Sequence, residues 1–303
     1  MTYQFDTTNL RGRFKTNVNL SNYTWLGVGG NADIFFVPED KEDLVQFFKV
    51  KPKQIPVTVL GACSNVLIRD KGIEGAVIRL GKKFSYIKKI DQNSIRVGAS
   101  TLSAFLAKET QKMGISGFEF LSGIPGRIGG ALRMNCGAHG SEITNVFKSC
   151  IALNYNGILK NFEKQDVKFS YRESSFSNNL IFLEAVFTGK KEKVSVIEKK
   201  INSFIASRKQ SQPIQVKTGG STFKNPDLKI SKNKKTWELI KESGCATLSY
   251  GGAKLSEVHN NFIINFNNAT ASDIEKLGEE VVRKVFEKTR IKLEWEIIRL
   301  GRS

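Results

Sequence analysis

The sequence predicts a mixed fold of short strands and amphipathic helices, divided into two or three lobes and distinct from a Rossmann sheet. Three observations lead there. At 303 residues the chain is long for one domain and long enough to bury sizeable cores without disulfide staples. Apolar runs alternate with glycine-rich loops that lead into further strands, whereas a Rossmann loop leads into a helix. Stripes of apolar residues at helical spacing recur at separated points along the chain.

Near the N-terminus, residues 26–33 (LGVGGNAD) superficially fit a dinucleotide loop, but Ile34, Phe35, Phe36 and Val37 continue as a strand, so no helix N-terminus is there to hold a pyrophosphate. A helix begins near Asp40, with Leu44, Phe47 and Phe48 on one face. Residues 55–60 (IPVTVL) read as a buried strand entering the small-residue loop Gly61, Ala62, Cys63, Ser64 and Asn65. VLIRD and, at residues 76–80, AVIRL are further strands. A second helix spans about 102–113, with Leu102, Phe105, Leu106 and Met113 as its stripe and Gly114 as its stop. Residues 116–140 are the densest glycine stretch. There Gly123, Gly126, Gly129 and Gly130, with Pro125 fixing the local backbone, suit a loop that lets a flat or phosphorylated ligand come close.

Strands and hairpins fill residues 146–187, turning at Asn156 and Gly157, and Gly189, Lys190 and Lys191 read as a polar break that marks a lobe boundary. Ser195 and Glu198 form a capping-box pattern ahead of a helix with Ile197, Ile201, Phe204 and Ile205 inward. Ser272 and Glu275 repeat the pattern for a helix carrying Ile274, Leu277, Val281 and Val285. The closing IKLEWEIIR alternates as a strand, with Ile291, Leu293, Trp295 and Ile297 on one face and Lys292, Glu294 and Glu296 on the other. Alternation makes both glutamates solvent-facing and does not separate them.

Composition narrows the function classes. With 40% hydrophobic and 25% charged residues the chain reads as soluble and globular. Lys+Arg of 47 against Asp+Glu of 29 gives +18, which raises nucleic-acid binding as a reading. The basic residues are scattered, however, and no RNA-recognition signature or zinc-finger spacing accompanies them, so the charge reads as a solvated surface suited to phosphorylated small molecules. Cys63, Cys136, Cys150 and Cys245 include no CxxC pair, which indicates neither a metal site nor a disulfide framework and fits a reducing cytosol. The N-terminus lacks an apolar signal core and no run reaches about 18 apolar residues, so neither secretion nor membrane spanning is expected.

The chemistry-bearing stretch is GGSTFKNP at residues 219–226. Ser221, Lys224 and Asn225 can donate to an anionic, oxygen-rich molecule, and the glycines leave backbone amides approachable. The same residue types also mark surface turns. With no GxxxxGK[ST] motif present, a phosphate-bearing ligand would be held by backbone amides in turns between strands.

Seven stretches in order resemble the UDP-N-acetylenolpyruvoylglucosamine reductase family. They are TWLGVGGNAD (24–33), LGACSNVLIRDKGIEGAVI (60–78), GFEFLSGIPGRIGGALRMNCGAHG (117–140), YRES (171–174), GGSTFKNP, GGAKLSEVHNNFIIN (251–265) and LEWEI (293–297). The resemblance covers nearly the whole chain. It implies an α+β fold, with a two-lobed FAD-binding module of the vanillyl-alcohol-oxidase (PCMH) type over residues 1–192, its lobes at roughly 20–80 and 81–192, and a smaller α+β substrate domain over 193–303. The compact length resembles the type II form.

The activity this implies is that of an NADPH-dependent flavoprotein oxidoreductase of peptidoglycan precursor synthesis, a cytoplasmic monomer acting on UDP-N-acetylglucosamine enolpyruvate. FAD would be bound noncovalently, with no metal, no nucleic-acid partner and no membrane association. Carried over by motif, Ser221 is the proton donor, Glu296 the second acid group and Arg172 the partner of the substrate carboxylate. Flavin contacts come from the backbone of Gly61, Ala62, Cys63, Ser64 and Asn65 and of Gly123, Ile124, Pro125, Gly126, Arg127, Gly129 and Gly130, with Arg127 toward phosphate. Lys209, Lys224 and Asn225 are assigned to the uridine diphosphate end. Two positions depart from the family pattern: Cys63 stands where a glycine is common and His139 where a tyrosine is frequent. His259 is expected to be a half-buried, hydrogen-bonded structural residue. Two other readings compete, an oxidase of the same flavin fold, in which Ser221, Arg172 and Glu296 have no obvious purpose, and a basic nucleic-acid-binding protein.

Overall fold

The computed structural model describes Tyr3 and residues 5–303. A five-stranded antiparallel sheet runs in the order Leu159–Glu163, Phe147–Asn154, Leu180–Thr188, Ser94–Gly98, Ile87–Lys89. Its central strand, LIFLEAVFT, is buried on both faces, and a period of two whose phase shifts at an irregularity between Phe182 and Glu184 distributes its side chains between two cores. Ile181 and Leu183 enter one, while Leu180, Phe182, Ala185 and Phe187 enter the other. A four-stranded sheet has the order Arg13–Asn19, Asn31–Val37, Ile73–Ile78, Val57–Val59, its last pair parallel. A third, antiparallel sheet has the order Lys217–Ser221, Phe262–Asn265, Ala253–Leu255, Ser249–Tyr250. Strand Ile298–Leu300 pairs in parallel with Val66–Ile68.

The chain divides into two compact units. The first comprises the segment ending at Thr16 together with Asp33–Ala62 and Gly75–Arg208; the second comprises Asn17–Ala32, Cys63–Glu74 and Lys209–Ser303. Phenylalanine dominates the first unit. Phe36 stacks on Phe47 at 4.9 Å in one of its cores, and Phe176 meets Phe182 edge-on at 4.7 Å in the other. Each such ring, once buried, contributes about 2 kcal/mol relative to exposure. In the second unit Leu239 and Ile240 of helix Thr236–Glu242 pack with Ile274, Leu277, Val281 and Val285 of helix Ala271–Thr289. Among the described residues no helix is long and apolar enough to cross a membrane.

Several elements differ from the sequence reading, each for a local reason. Helix Lys41–Val50 starts as expected, with the Asp40 carboxylate accepting from Asp43 N at 3.0 Å. Helix Ser103–Lys112 forms where expected but turns a different face inward. It buries Leu106, Ala107 and Thr110, while Leu102 and Phe105 stay 52% and 49% exposed. Leu102 precedes the helix with extended backbone, so it does not share the helical phase.

Gly129 and Gly130 lie in a short helix, Ile128–Arg133, and not in a loop. Its first turn is sewn to the segment that follows strand Ser94–Gly98 by Ile128 N to Thr101 O at 3.0 Å and Gly129 N to Ala99 O at 2.9 Å. Lys190–Lys191, expected as a break, pairs as a strand with Ile115–Ser116. Helix Val194–Ser211 begins ahead of Ser195 and buries Ile197 and Ile201 but leaves Ile205 exposed. The last helix is capped by Thr270, whose hydroxyl accepts from Asp273 N at 3.0 Å while Asp273 accepts from Thr270 N at 2.9 Å. The expected pair Ser272 and Glu275 lies inside that helix, and Glu275 instead bonds Arg69 at 3.1 Å. The closing alternation is no continuous strand: Trp295 makes a lone bridge to Phe223, and pairing resumes at Ile298–Leu300.

Candidate functional site

In the second unit a serine and a glutamate are brought to neighbouring positions by main-chain pairing. Strand Lys217–Ser221 is half of an irregular ladder whose register with Phe262–Asn265 shifts between Thr218 and Ser221. Gly220 lies in that shift at φ 83, a backbone that L side chains rarely adopt. Past Ser221 the chain runs alongside residues 294–296: Glu296 N donates to Thr222 O at 2.8 Å and Lys224 N to Glu294 O at 2.8 Å. Asn65 completes the arrangement, its Nδ2 donating to Glu296 O at 3.0 Å and its O accepting from Ile298 N at 3.1 Å. Ser221, Glu296, Asn65 and Lys224 therefore share one scaffold.

The two glutamates, indistinguishable by alternation, separate here. Glu294 is exposed, with its carboxylate 3.5 Å from Lys224 Nζ, whereas Glu296 is half-buried. Ser221 is half-buried as well, and a hydroxyl and a carboxyl are groups able to deliver a proton and to stabilise developing charge.

Asn225, expected at a ligand, is exposed, and its Oδ1 accepts from Thr236 N at 3.1 Å at the start of helix Thr236–Glu242. Thr236 Oγ1 also donates to Lys224 O at 2.7 Å, so this pair anchors the GGSTFKNP segment to a helix end. Lys209 is exposed near the end of helix Val194–Ser211. Its neighbour Arg208, which sequence reasoning passed over, is half-buried and donates through Nη1 to Gly123 O at 2.7 Å. Burial holds the Arg208 guanidinium below its ordinary pKa. An arginine one position before Lys209 carries no motif, which is why the contact was not legible.

Three glycines of the first unit, one of them in the helix Ile128–Arg133, leave open space where a side chain would stand. At Gly61 and Gly130 an added Cβ would meet no protein atom within 4 Å, and at Gly123 only Arg208 Cδ at 3.9 Å. Gly72, by contrast, would drive a Cβ to 1.9 Å from Asn31 O, so it is a packing glycine. Open glycine backbone beside the arginine side chain of residue 127 fits a dinucleotide cofactor with a flat ring and a pyrophosphate. Arg127 is pinned by Nη1 donating to Ser100 O at 2.9 Å and to Ser100 Oγ, and Gly126 takes φ 143. The chain passes from the first unit to the second within the other loop, Gly61 and Ala62 belonging to the first and Cys63, Ser64 and Asn65 to the second. Cys63 sits at φ 52, in the left-handed region that favours glycine.

Arg172 lies in the first unit, in the tight turn between Phe169–Ser170 and Glu173–Ser174, at φ 61 and with its guanidinium 4.8 Å from the Tyr171 ring centre. The hairpin is tied down by Asn135 Nδ2 to Ser170 O at 2.9 Å and Ser174 Oγ to Arg133 O at 2.9 Å. Burial pushes the Cys136 thiol up to about 12, against the opposing pull of the Arg172 charge. His139, at φ 54, stacks on Phe204 at 3.9 Å. His259 is half-buried, with Nδ1 accepting from Asn261 N at 3.3 Å. Among the described residues no group of three or more His, Cys, Asp or Glu gathers as metal ligands.

Comparison with known proteins matches both halves of this picture. A family model described as UDP-N-acetylenolpyruvoylglucosamine reductase, C-terminal domain, matches residues 212–300, and one described as FAD binding domain matches residues 32–161. The UDP-N-acetylenolpyruvoylglucosamine reductase of Rickettsia canadensis is 45% identical, over 97% of this chain and 97% of its own length. That of Gluconobacter oxydans is 45% identical, over 99% of this chain and 96% of its own. The crystal structure of the enzyme of that name from Thermus caldophilus superposes with a TM-score of 0.80 at 32% identity, covering 96% of this chain and 100% of that one. The 6-hydroxy-D-nicotine oxidase of Arthrobacter nicotinovorans, at 9% identity and a TM-score of 0.54 over 94% of this chain and 87% of that one, shares the fold alone. The architecture is thus the α+β one expected, an FAD-binding module of the PCMH type with a further C-terminal domain.

Proposed function

The chain belongs to the UDP-N-acetylenolpyruvoylglucosamine reductase family, as an oxidoreductase with an FAD-binding domain, and from that premise we propose that it uses NADPH to reduce UDP-N-acetylglucosamine enolpyruvate to UDP-N-acetylmuramate. This places it in peptidoglycan precursor synthesis in the cytoplasm, with a flavin module over residues 1–192 and a substrate domain over 193–303. When bound, FAD would supply hydride transfer, a chemistry that no side chain of this chain provides. Gly61, Ala62, Cys63, Ser64 and Asn65, with Gly123, Ile124, Pro125, Gly126, Arg127, Gly129 and Gly130, are the residues that would hold it.

Reducing the enolpyruvyl double bond puts hydride on one carbon and a proton on the other, with negative charge developing between the second carbon and the adjacent carboxylate. Arg172 presents a planar two-pronged donor to that carboxylate. Ser221 Oγ gives the proton to carbon, and the Glu296 carboxyl polarises the enol-like charge as it forms. Lys224 and Lys209 supply cations for the diphosphate, and Asn225 Nδ2 an amide donor beside them. The observation that supports this reading is the main-chain bond from Glu296 to Thr222, the residue that follows Ser221. An oxidase would give Ser221 and Glu296 no task.

Only the second half of the cycle uses the serine proton, and the reading is tested there. In anaerobic stopped-flow measurements Ser221→Ala should leave flavin bleaching by NADPH nearly intact and slow its reoxidation by substrate by about 100-fold or more. Equal losses in both halves would assign Ser221 another role.

A further inference from the structure

Resting on the reductase reading above, we propose that Asn261 is a positioning residue for the reaction: its side chain clamps Phe223 while its main-chain carbonyl holds Thr222, the two residues through which Ser221 and Glu296 are held relative to each other. Strand Lys217–Ser221 cannot set this geometry by itself. Its register with Phe262–Asn265 shifts between Thr218 and Ser221, and two glycines fill the shift. A slip of one residue there would turn the Ser221 hydroxyl to the opposite face.

Beyond Ser221 a single residue replaces the missing ladder. Asn261 O accepts from Thr222 N at 2.7 Å, Asn261 Oδ1 accepts from Phe223 N at 3.0 Å, and Asn261 Nδ2 donates to Phe223 O at 2.8 Å. On the other side Thr222 O accepts from Glu296 N at 2.8 Å. Thr222 adds a lock of its own, its Oγ1 accepting from Ile263 N at 3.1 Å. Asn261, Thr222 and Phe223 are 3%, 0% and 1% exposed, so water does not replace a lost bond here.

The chemistry requires this residue type. An asparagine head offers one acceptor and one donor in a plane, which match one backbone N–H and one backbone C=O. Asp keeps the shape but turns a second acceptor and a charge toward Phe223 O; Leu keeps the volume and offers neither group. Asn261 reaches no reacting atom itself and acts through the segment it holds.

The test compares wild-type holoenzyme with Asn261→Asp and Asn261→Leu by anaerobic stopped flow and by amide hydrogen exchange. Flavin reduction by NADPH should stay within about twofold, while reoxidation at saturating UDP-N-acetylglucosamine enolpyruvate slows about 100-fold and KM changes far less. The Phe223 amide should exchange faster in both variants. A role confined to stability would lower Tm without separating the two half-reactions. Unchanged reoxidation, equal loss in both halves, or unchanged Phe223 exchange overturns the proposal, and if the Leu variant does not fold the Asp variant decides alone. Should wild-type reduced flavin fail to react with that substrate, the reductase reading falls, and Phe223 exchange in the Asp variant still decides whether the clamp exists.

Discussion

Glu294 and Glu296 stand two residues apart in one alternating run, and their environments differ. Glu294 makes a solvent-facing pair with Lys224, an interaction that salt screens and that contributes about 0–1 kcal/mol. Glu296 is half-buried, and its backbone bonds to Thr222 on one side and to Asn65 on the other. Glu296→Gln is therefore expected to lower substrate-dependent NADPH oxidation by about 100-fold, and Glu294→Gln to change it by no more than about twofold. Steady-state assays of the two variants side by side check this, and comparable losses would contradict the assignment. The sequence pattern could not make this distinction because alternation encodes a face and not a depth. Ser221 was legible as a hydroxyl among glycines. Arg208, whose contact with Gly123 depends on a helix 85 residues further along the chain, was not.

At the scale of elements, helix Ala271–Thr289 carries a glycine whose sign is the reverse of the usual one. Gly278 is buried, and a Cβ there would lie 2.3 Å from the Trp295 ring, which itself packs edge-on against Phe223 at 5.2 Å. Replacing a helix glycine by alanine ordinarily stabilises by about 1 kcal/mol. Gly278→Ala should instead destabilise by about 1–3 kcal/mol through overpacking, read as a lower urea midpoint, and an unchanged or higher midpoint would refute the packing account.

His259 gives the neighbouring segment a pH dependence. Burial, seconded by the charge of Lys235 and opposed by a backbone hydrogen bond, holds its ring below the ordinary 6.5. The unfolded chain then takes up a proton near pH 6.5 that the folded chain refuses, so stability is full above that value and falls as the pH drops toward the folded pKa. Urea midpoints measured at about pH 5.5 and 7.5 should differ less in His259→Gln than in the wild type. An identical difference would remove His259 as the source.

Helix existence was legible from periodicity, since local spacing suffices for it. Faces and caps were legible only in part: Leu102 and Phe105 are exposed because the inward face is set by Leu106, Ala107 and Thr110, and the last helix starts at Thr270 because that hydroxyl and Asp273 satisfy each other's amides. Such outcomes depend on tertiary neighbours, which a linear pattern does not contain.

For the molecule as a whole, the broad design was readable because the residues just past a glycine loop show whether the chain enters a strand or a helix. The strand after LGVGGNAD is Asn31–Val37 and the strand after the Gly61 loop is Val66–Ile68, so the rejection of a Rossmann sheet holds. The central strand Leu180–Thr188 is buried on both faces, and its sheet partners, distant in sequence, decide which core each side chain enters. Arg283 pairs with Glu280 and Glu287 at the surface.

The central claim, flavin-mediated transfer from NADPH to an enolpyruvyl ether, is tested most directly by anaerobic absorption spectra of the purified protein. The account predicts a yellow protein whose flavin band is bleached by NADPH and restored in full by UDP-N-acetylglucosamine enolpyruvate without oxygen. A colourless protein with no affinity for added FAD, or a bleached flavin that only oxygen restores, would contradict it.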